Sequence, residues 1–259
     1  MGLFVCLLER FGPGLSLSLA GRRGHFHDLR TLGGMMPPVR YPFLSAHCIN
    51  EALCWYRHMS APVPRPVLKG KVSVEEAIAK RRSIRHFSGK PLSLAALSQI
   101  LWAAQGVTDS DTGFRSAPSA GALYPLELYV VARKDGVKGL PEGVYHYESK
   151  EHRLTLVRSG DFSSELEAAT WDQEIVKGAS ATIVMTAVLS RTAVKYGRRA
   201  SQYVFQESGH AAQNVFLQAA ALGIGTVAMG AFSEGAVRRV VGAGPDERPL
   251  YVQPLGVPA

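Results

Sequence analysis

Cysteine is scarce: the 259 residues hold three, Cys6, Cys48 and Cys54, all within the first 54 positions. An odd number at irregular spacing forms neither a disulfide framework nor a C-x2-C zinc pair, so a reducing compartment, the cytoplasm, is expected. His25, His27, His47 and His58 share that stretch without an H-x3-H pair, and no metal site is expected there. A dense basic run is also missing. The net charge is +8, but Lys and Arg are spread along the chain and no RNA- or DNA-reading module accompanies them, so nucleic acid is not expected as a partner. Neither a Ser-His-Asp order nor a G-x-S-x-G elbow occurs, which disfavours hydrolase chemistry. His210 lies in an apolar helical stretch without a nearby Cys, Asp or second His, and reads as a hydrogen-bonded core residue, not a ligand.

A membrane-length apolar run is absent in substance. The longest uncharged run, Ser208 to Ser233, contains Gln213, Asn214 and Gln218 among alanines, then Gly223, Gly225 and Gly230, and reads as a buried helix followed by a buried strand. The opening MGLFVCLLERFG has an apolar patch with no basic residue before it, and is not read as a signal peptide. Lysine is missing before Lys69 and cysteine after Cys54, so composition changes near residue 60. Residues 1–58 show no sustained period. Two parts are therefore expected: residues 1–70 as a poorly ordered or non-native extension, with Met59 as the biological start, and residues 71–259 as the folded domain. With 46% hydrophobic and 19% charged residues, a large core is affordable.

What is present is regular from Ser73 onward. Ser73 and Glu76 make an S-x-x-E capping box opening a helix through Arg81, and Ser93 caps a second helix ended by Gly106 in the position favoured for a C-terminal glycine. Leu126 to Val131 reads as a strand, and Val144–Glu148 with Leu154–Arg158 as a hairpin. Ala181 to Leu189 reads as a strand covered on both faces, and Arg199 to Leu222 as a long helix buried around much of its circumference. Thr226–Met229 reads as a strand, Ser233 as the cap of a short helix, and Leu250–Leu255 as a last strand.

Two segments carry chemistry. Arg81-Arg82-Ser83-Ile84-Arg85 follows a helix exit, where arginines commonly answer the helix dipole. Ser83 adds a hydroxyl between permanently charged forks, a set suited to phosphate. Pro118-Ser119-Ala120-Gly121-Ala122-Leu123-Tyr124-Pro125 serves as a turn into the strand at Leu126, or lets something flat approach the backbone. Over about residues 73–257 these segments resemble the FMN-dependent nitroreductase family. The resemblance implies an α+β fold, with a mixed central sheet wrapped by helices, as an intertwined homodimer. It assigns Arg81, Arg82, Ser83 and Arg85 to the FMN phosphate and ribityl chain. Pro118, Ser119, Ala120 and Gly121 are assigned to the flavin of the partner subunit, and Ala228, Met229, Gly230 and Ala231 to one flavin face, with an amide near Gly230 aimed at N5. Some relatives carry a Glu-Gly pair there, and family members commonly place a further basic residue from the C-terminal end, where this chain has Pro254 to Ala259.

Gly223-Ile224-Gly225-Thr226-Val227-Ala228 matches G-x-G-x-x-A, but it follows a helix and opens a strand, the reverse of a dinucleotide fingerprint. Lys195-Tyr196 reads as a solvated loop before the long helix, or as a catalytic pair resembling that of the azoline dehydrogenases, which remove a proton while FMN takes hydride. The expected activity is ping-pong hydride transfer from a transient donor such as NAD(P)H to a small acceptor, a nitroaromatic or quinone. The alternatives are an azoline-type dehydrogenase acting on a modified peptide through Lys195-Tyr196, and a non-enzymatic flavin-binding protein.

Overall fold

The computed structural model describes residues 60–171 and 174–259; the expected extension up to Met59 lies outside them. The capping box forms: Ser73 Oγ accepts the Glu76 amide and the Glu76 carboxylate accepts the Ser73 amide, both at 3.1 Å, opening helix α1 (Val74–Lys80). Helix α2 (Leu94–Gln105) starts on Ser93, whose Oγ accepts the Ala96 amide at 3.2 Å, and buries Leu97, Ile100, Leu101 and Ala104. It ends at Gly106 in extended backbone (φ −67°), not in the left-handed turn of a glycine stop.

Strands β1 (Ser60–Pro62), β3 (Leu126–Ala132), β5 (Gly143–Glu148), β6 (Arg153–Ser159), β7 (Ala181–Val188), β8 (Gly225–Thr226) and β9 (Glu247–Gly256) form one sheet in the order β1-β6-β5-β3-β7-β9-β8. β1 enters the sheet against β6 ahead of the expected domain boundary at residue 71. These strands pair antiparallel; a parallel bridge joins Ser83 to Thr226 at the β8 edge, and β2 (Leu92–Ser93) pairs parallel with β4 (Val137–Lys138). Alternation assigns the faces. Leu128, Val130, Ile183 and Met185 pack under α2 and the long helix α6 (Ala200–Ala221), while Tyr129, Val131, Val184 and Val252 pack under α3 (Ser163–Ala169), α4 (Ile175–Gly178) and α7 (Glu234–Val241). Two buried layers therefore make β7 apolar along its length, as its sequence predicts.

Two local expectations change. The Thr226–Met229 strand is broken: β8 stops at Thr226, and Met229 rejoins the sheet alone through two hydrogen bonds with Val252 at 2.9 and 3.0 Å. Lys195-Tyr196 is not loop but the last turn of helix α5 (Leu189–Tyr196), which follows β7 directly. Ser233 precedes α7 as expected, though its side chain makes no capping bond and its carbonyl accepts the Val237 amide instead. Among the described residues no helix is long and apolar enough to cross a membrane.

Candidate functional site

The arginine segment leaves α1 and lies along β8. Ile84 donates its amide to the Thr226 carbonyl at 2.9 Å, and a Cβ on Gly225 would stand 2.7 Å from Ile84 Cγ2, so only glycine admits this approach. The chain end straps the same segment: Ser88 donates to the Val257 carbonyl at 2.9 Å and Ala259 to that of His86 at 3.2 Å. The C-terminal end thus supports the segment through backbone, although it carries no basic side chain. Arg81 places its guanidinium 5.3 Å from the Phe216 ring centre. Arg82 folds back to the Ala79 and Arg81 carbonyls at 3.0 and 2.7 Å, the helix-terminal role, whereas Ser83 and Arg85 are exposed. Among the described residues neither Arg81 nor Arg85 pairs with a carboxylate, and the buried Thr226 hydroxyl beside Ser83 has no hydrogen-bond partner.

Ala228 to Ala231 continue from β8. Met229 is tied to Val252, which leaves Gly230 exposed at the rim of a cleft of about 320 Å³ beside Phe205, Ser208 and Tyr251. Phe205 and Phe216 are eleven residues apart on α6, which puts them within about 20° of one another and about 16 Å apart along the axis. One face of α6 therefore carries the Gly230 cleft at one end and Arg81 at the other.

The small-residue loop lies on the opposite side. Ser119 Oγ donates to Glu207 Oε2 at 2.6 Å, and Asn214 donates to the Ser116 carbonyl at 3.4 Å. Glu207 stands nine residues before Phe216, about 180° around the helix. Gly121 is left-handed (φ 65°), and a Cβ there would meet the Tyr196 hydroxyl at 3.0 Å and Lys195 Nζ at 3.2 Å. The loop is thus packed against the pair on α5. Lys195 is exposed with Nζ 5.5 Å from the Tyr196 ring centre, and Tyr196 meets Tyr203 edge-on at 4.9 Å. Pro118 is exposed, and Ser119 and Ala120 are half-buried.

Glu207 and Arg115 were not singled out by their sequence context. Glu207 is 2% exposed, and burial pushes its carboxyl up to about 7, against the opposing pull of the Ser119 hydroxyl and the Arg115 charge. Its Oε1 has no partner. A lone acid just before a long uncharged run was the available signal, since a buried carboxyl needs a partner. Arg115 lies 4.6 Å from the Tyr124 ring centre and donates to Gln105 Oε1 at 3.1 Å. His210 corrects the expectation of a core histidine: it is exposed, on the stripe of α6 that also exposes Gln206 and Gln213.

A seven-stranded antiparallel sheet covered on both faces, with an exposed arginine segment on one face of its long helix and a glycine-bearing loop on the other, defines an α+β fold. The chain belongs to the nitroreductase family, whose model matches residues 78–257. A candidate nitroreductase of Methanocaldococcus jannaschii is 41% identical over 72% of this chain and 91% of its own. A candidate nitroreductase structure from Ralstonia eutropha superposes with a TM-score of 0.69 at 29% identity, covering 78% of this chain and 90% of that one. The microcin B17-processing protein McbC of Escherichia coli is 25% identical over 64% of this chain and 62% of its own. The microcin synthetase complex containing McbC matches in fold, with a TM-score of 0.60 at 22% identity over 83% of this chain and 84% of that one.

Proposed function

We propose that the protein is an FMN-dependent oxidoreductase working as a homodimer, with each site built from two chains. The observation that carries this is the division across α6: Arg81, Ser83 and Gly230 on one side, Pro118 to Gly121 on the other. A single chain does not bring both sets onto one ligand, and a second copy would supply the missing set. The residues fit the cofactor. Arg81, Ser83, Arg85 and the unpartnered Thr226 hydroxyl would hold the phosphate end, and the exposed Gly230 amide offers a fixed dipole to the flavin edge. Arg82, spent on helix carbonyls, contributes background charge only. When bound, FMN supplies hydride chemistry. The chain's part is to position it, and to admit a transient donor such as NAD(P)H and then a nitroaromatic or quinone acceptor to the same face. The test is the visible spectrum of the purified protein with mass identification of what heat releases. FMN is expected; a colourless protein that takes up no added FMN sinks the reading, and a bound flavin that no donor reduces favours a flavin-binding protein instead.

A second reading reverses the flow, with a heterocycle in a modified peptide as hydride donor and Lys195-Tyr196 as proton acceptor. The packing of both side chains against Gly121 favours it, because they accompany the loop assigned to the flavin. The likeness to McbC, a microcin B17-processing protein, points the same way. Lys195→Ala separates the two: NAD(P)H-driven quinone reduction is expected to change less than about threefold, while proton removal by this side chain would make the loss about 100-fold or more. Steady-state rates with both donor classes give the answer.

A further inference from the structure

Glu207 is the buried acid of the site that no step above uses. It reaches the cofactor loop through one atom: Ser119 Oγ donates to Glu207 Oε2 at 2.6 Å and accepts the Tyr124 amide at 2.9 Å. Ser119 therefore closes the loop from Ser119 to Tyr124 on itself and fastens it to α6 in the same act. That loop contains three positive-φ residues within four positions, Gly121, Ala122 and Tyr124 (65°, 54° and 46°), which need holding from outside. Other anchors take Tyr124 from the far side, where its carbonyl accepts from Arg191 and its hydroxyl from the Arg115 amide, both at 3.2 Å. The loop's first residue, Ser119, ties it to α6.

We infer that Glu207 is the positioning residue of the Pro118–Gly121 loop, acting through Ser119, and that its charge sets how firmly the loop is held. A hydroxyl donates more strongly to a carboxylate than to a neutral carboxyl, so ionisation tightens the latch and protonation slackens it. The groups around it are few. Arg115 brings positive charge from the segment after α2, itself balanced by Glu127 and crowded by Arg191. Ser119 faces it from the loop, Lys195 and Tyr196 of α5 lie beyond Gly121, and Tyr203 and His210 stand one turn away on α6 itself. The consequence for cofactor binding rests on the FMN reading above; the latch does not.

The Tyr124 amide reports the latch directly, because its acceptor is Ser119 Oγ. Hydrogen exchange of that amide in the full chain without added flavin, corrected for intrinsic rate, is expected to gain about tenfold in protection between about pH 5.5 and 8.5. The midpoint is expected near 7. Amides of β7 report global opening as control. Glu207→Gln is expected to flatten the profile, and Ser119→Ala to leave Tyr124 unprotected at both ends. Wild-type protection that ignores pH, or a Glu207→Gln profile that titrates like wild type, overturns the inference; the wild-type titration needs no variant to fold. FMN affinity measured at the same two pH values should be tighter at the higher. If Tyr124 titrates but no FMN binds at any pH, the cofactor reading fails and the latch stands. If FMN binds while Tyr124 does not titrate, the latch alone fails.

Discussion

At the scale of single residues, the arginine segment divides its labour. The Ser83 and Arg85 side chains are exposed and hydrogen-bond to no protein group among the described residues, whereas Arg82 satisfies the end of α1. Arg85→Ala is therefore expected to weaken FMN binding by about tenfold or more, the worth of a charge-assisted hydrogen bond, and Arg82→Ala by no more than about threefold, both read by flavin fluorescence titration. Equal losses would mean that the segment acts by bulk charge. Glu207 makes a prediction about stability as well. Its carboxyl is raised from 4.5 to about 7 in the fold, so the native state binds the proton more tightly than the unfolded chain. The stability it confers is complete below about pH 4.5 and is lost as pH rises through 7. Glu207→Gln should remove that slope, on the order of 3 kcal/mol between those limits, as measured by urea unfolding across the range. A slope unchanged in the variant would reassign it to other groups.

At the scale of elements, legibility followed locality. Ser73 with Glu76 opens α1 because both halves of the capping box lie within one turn, and the apolar run from Ala181 announces β7 because burial on both faces leaves no place for charge. α5 was hidden: it leaves β7 without a capping side chain, and its exposed Val194, Lys195 and Arg191 give it the composition of a loop. The Glu207–Ser119 bond spans 88 residues, a distance at which no periodicity speaks. The family resemblance named the loop and the arginines, but the side of α6 on which each lies emerges only from the fold. β8 offers a test of how the arginine segment is seated. Gly225→Val sets a side chain against Ile84, where even a Cβ would stand at 2.7 Å. A loss of about 1–3 kcal/mol in thermal unfolding is expected, with FMN affinity falling more than stability because Ser83 rides on Ile84. Intact affinity in a folded Gly225→Val protein would detach the segment from the cofactor.

At the scale of the whole molecule, the division across α6 predicts complementation. On the proposed dimer, a chain with Arg85→Ala keeps a good loop and a chain with Gly121→Val keeps a good arginine segment. Co-refolded in equal amounts they should recover about a quarter of the sites, since half of the dimers are mixed and each mixed dimer has one intact site. Recovery is counted as bound FMN, and none at all would place each site within one chain. The contact of Gly121 with Lys195 and Tyr196 extends this to ancestry and engineering. Those three residues belong to one chain and travel together, while on the proposed dimer the arginine segment of their site comes from the other. In a chimera of two relatives, cofactor retention would follow the parent that donates residues 81–85, and substrate range the parent that donates residues 117–207 as a block. The two traits could then be inherited, and selected, apart.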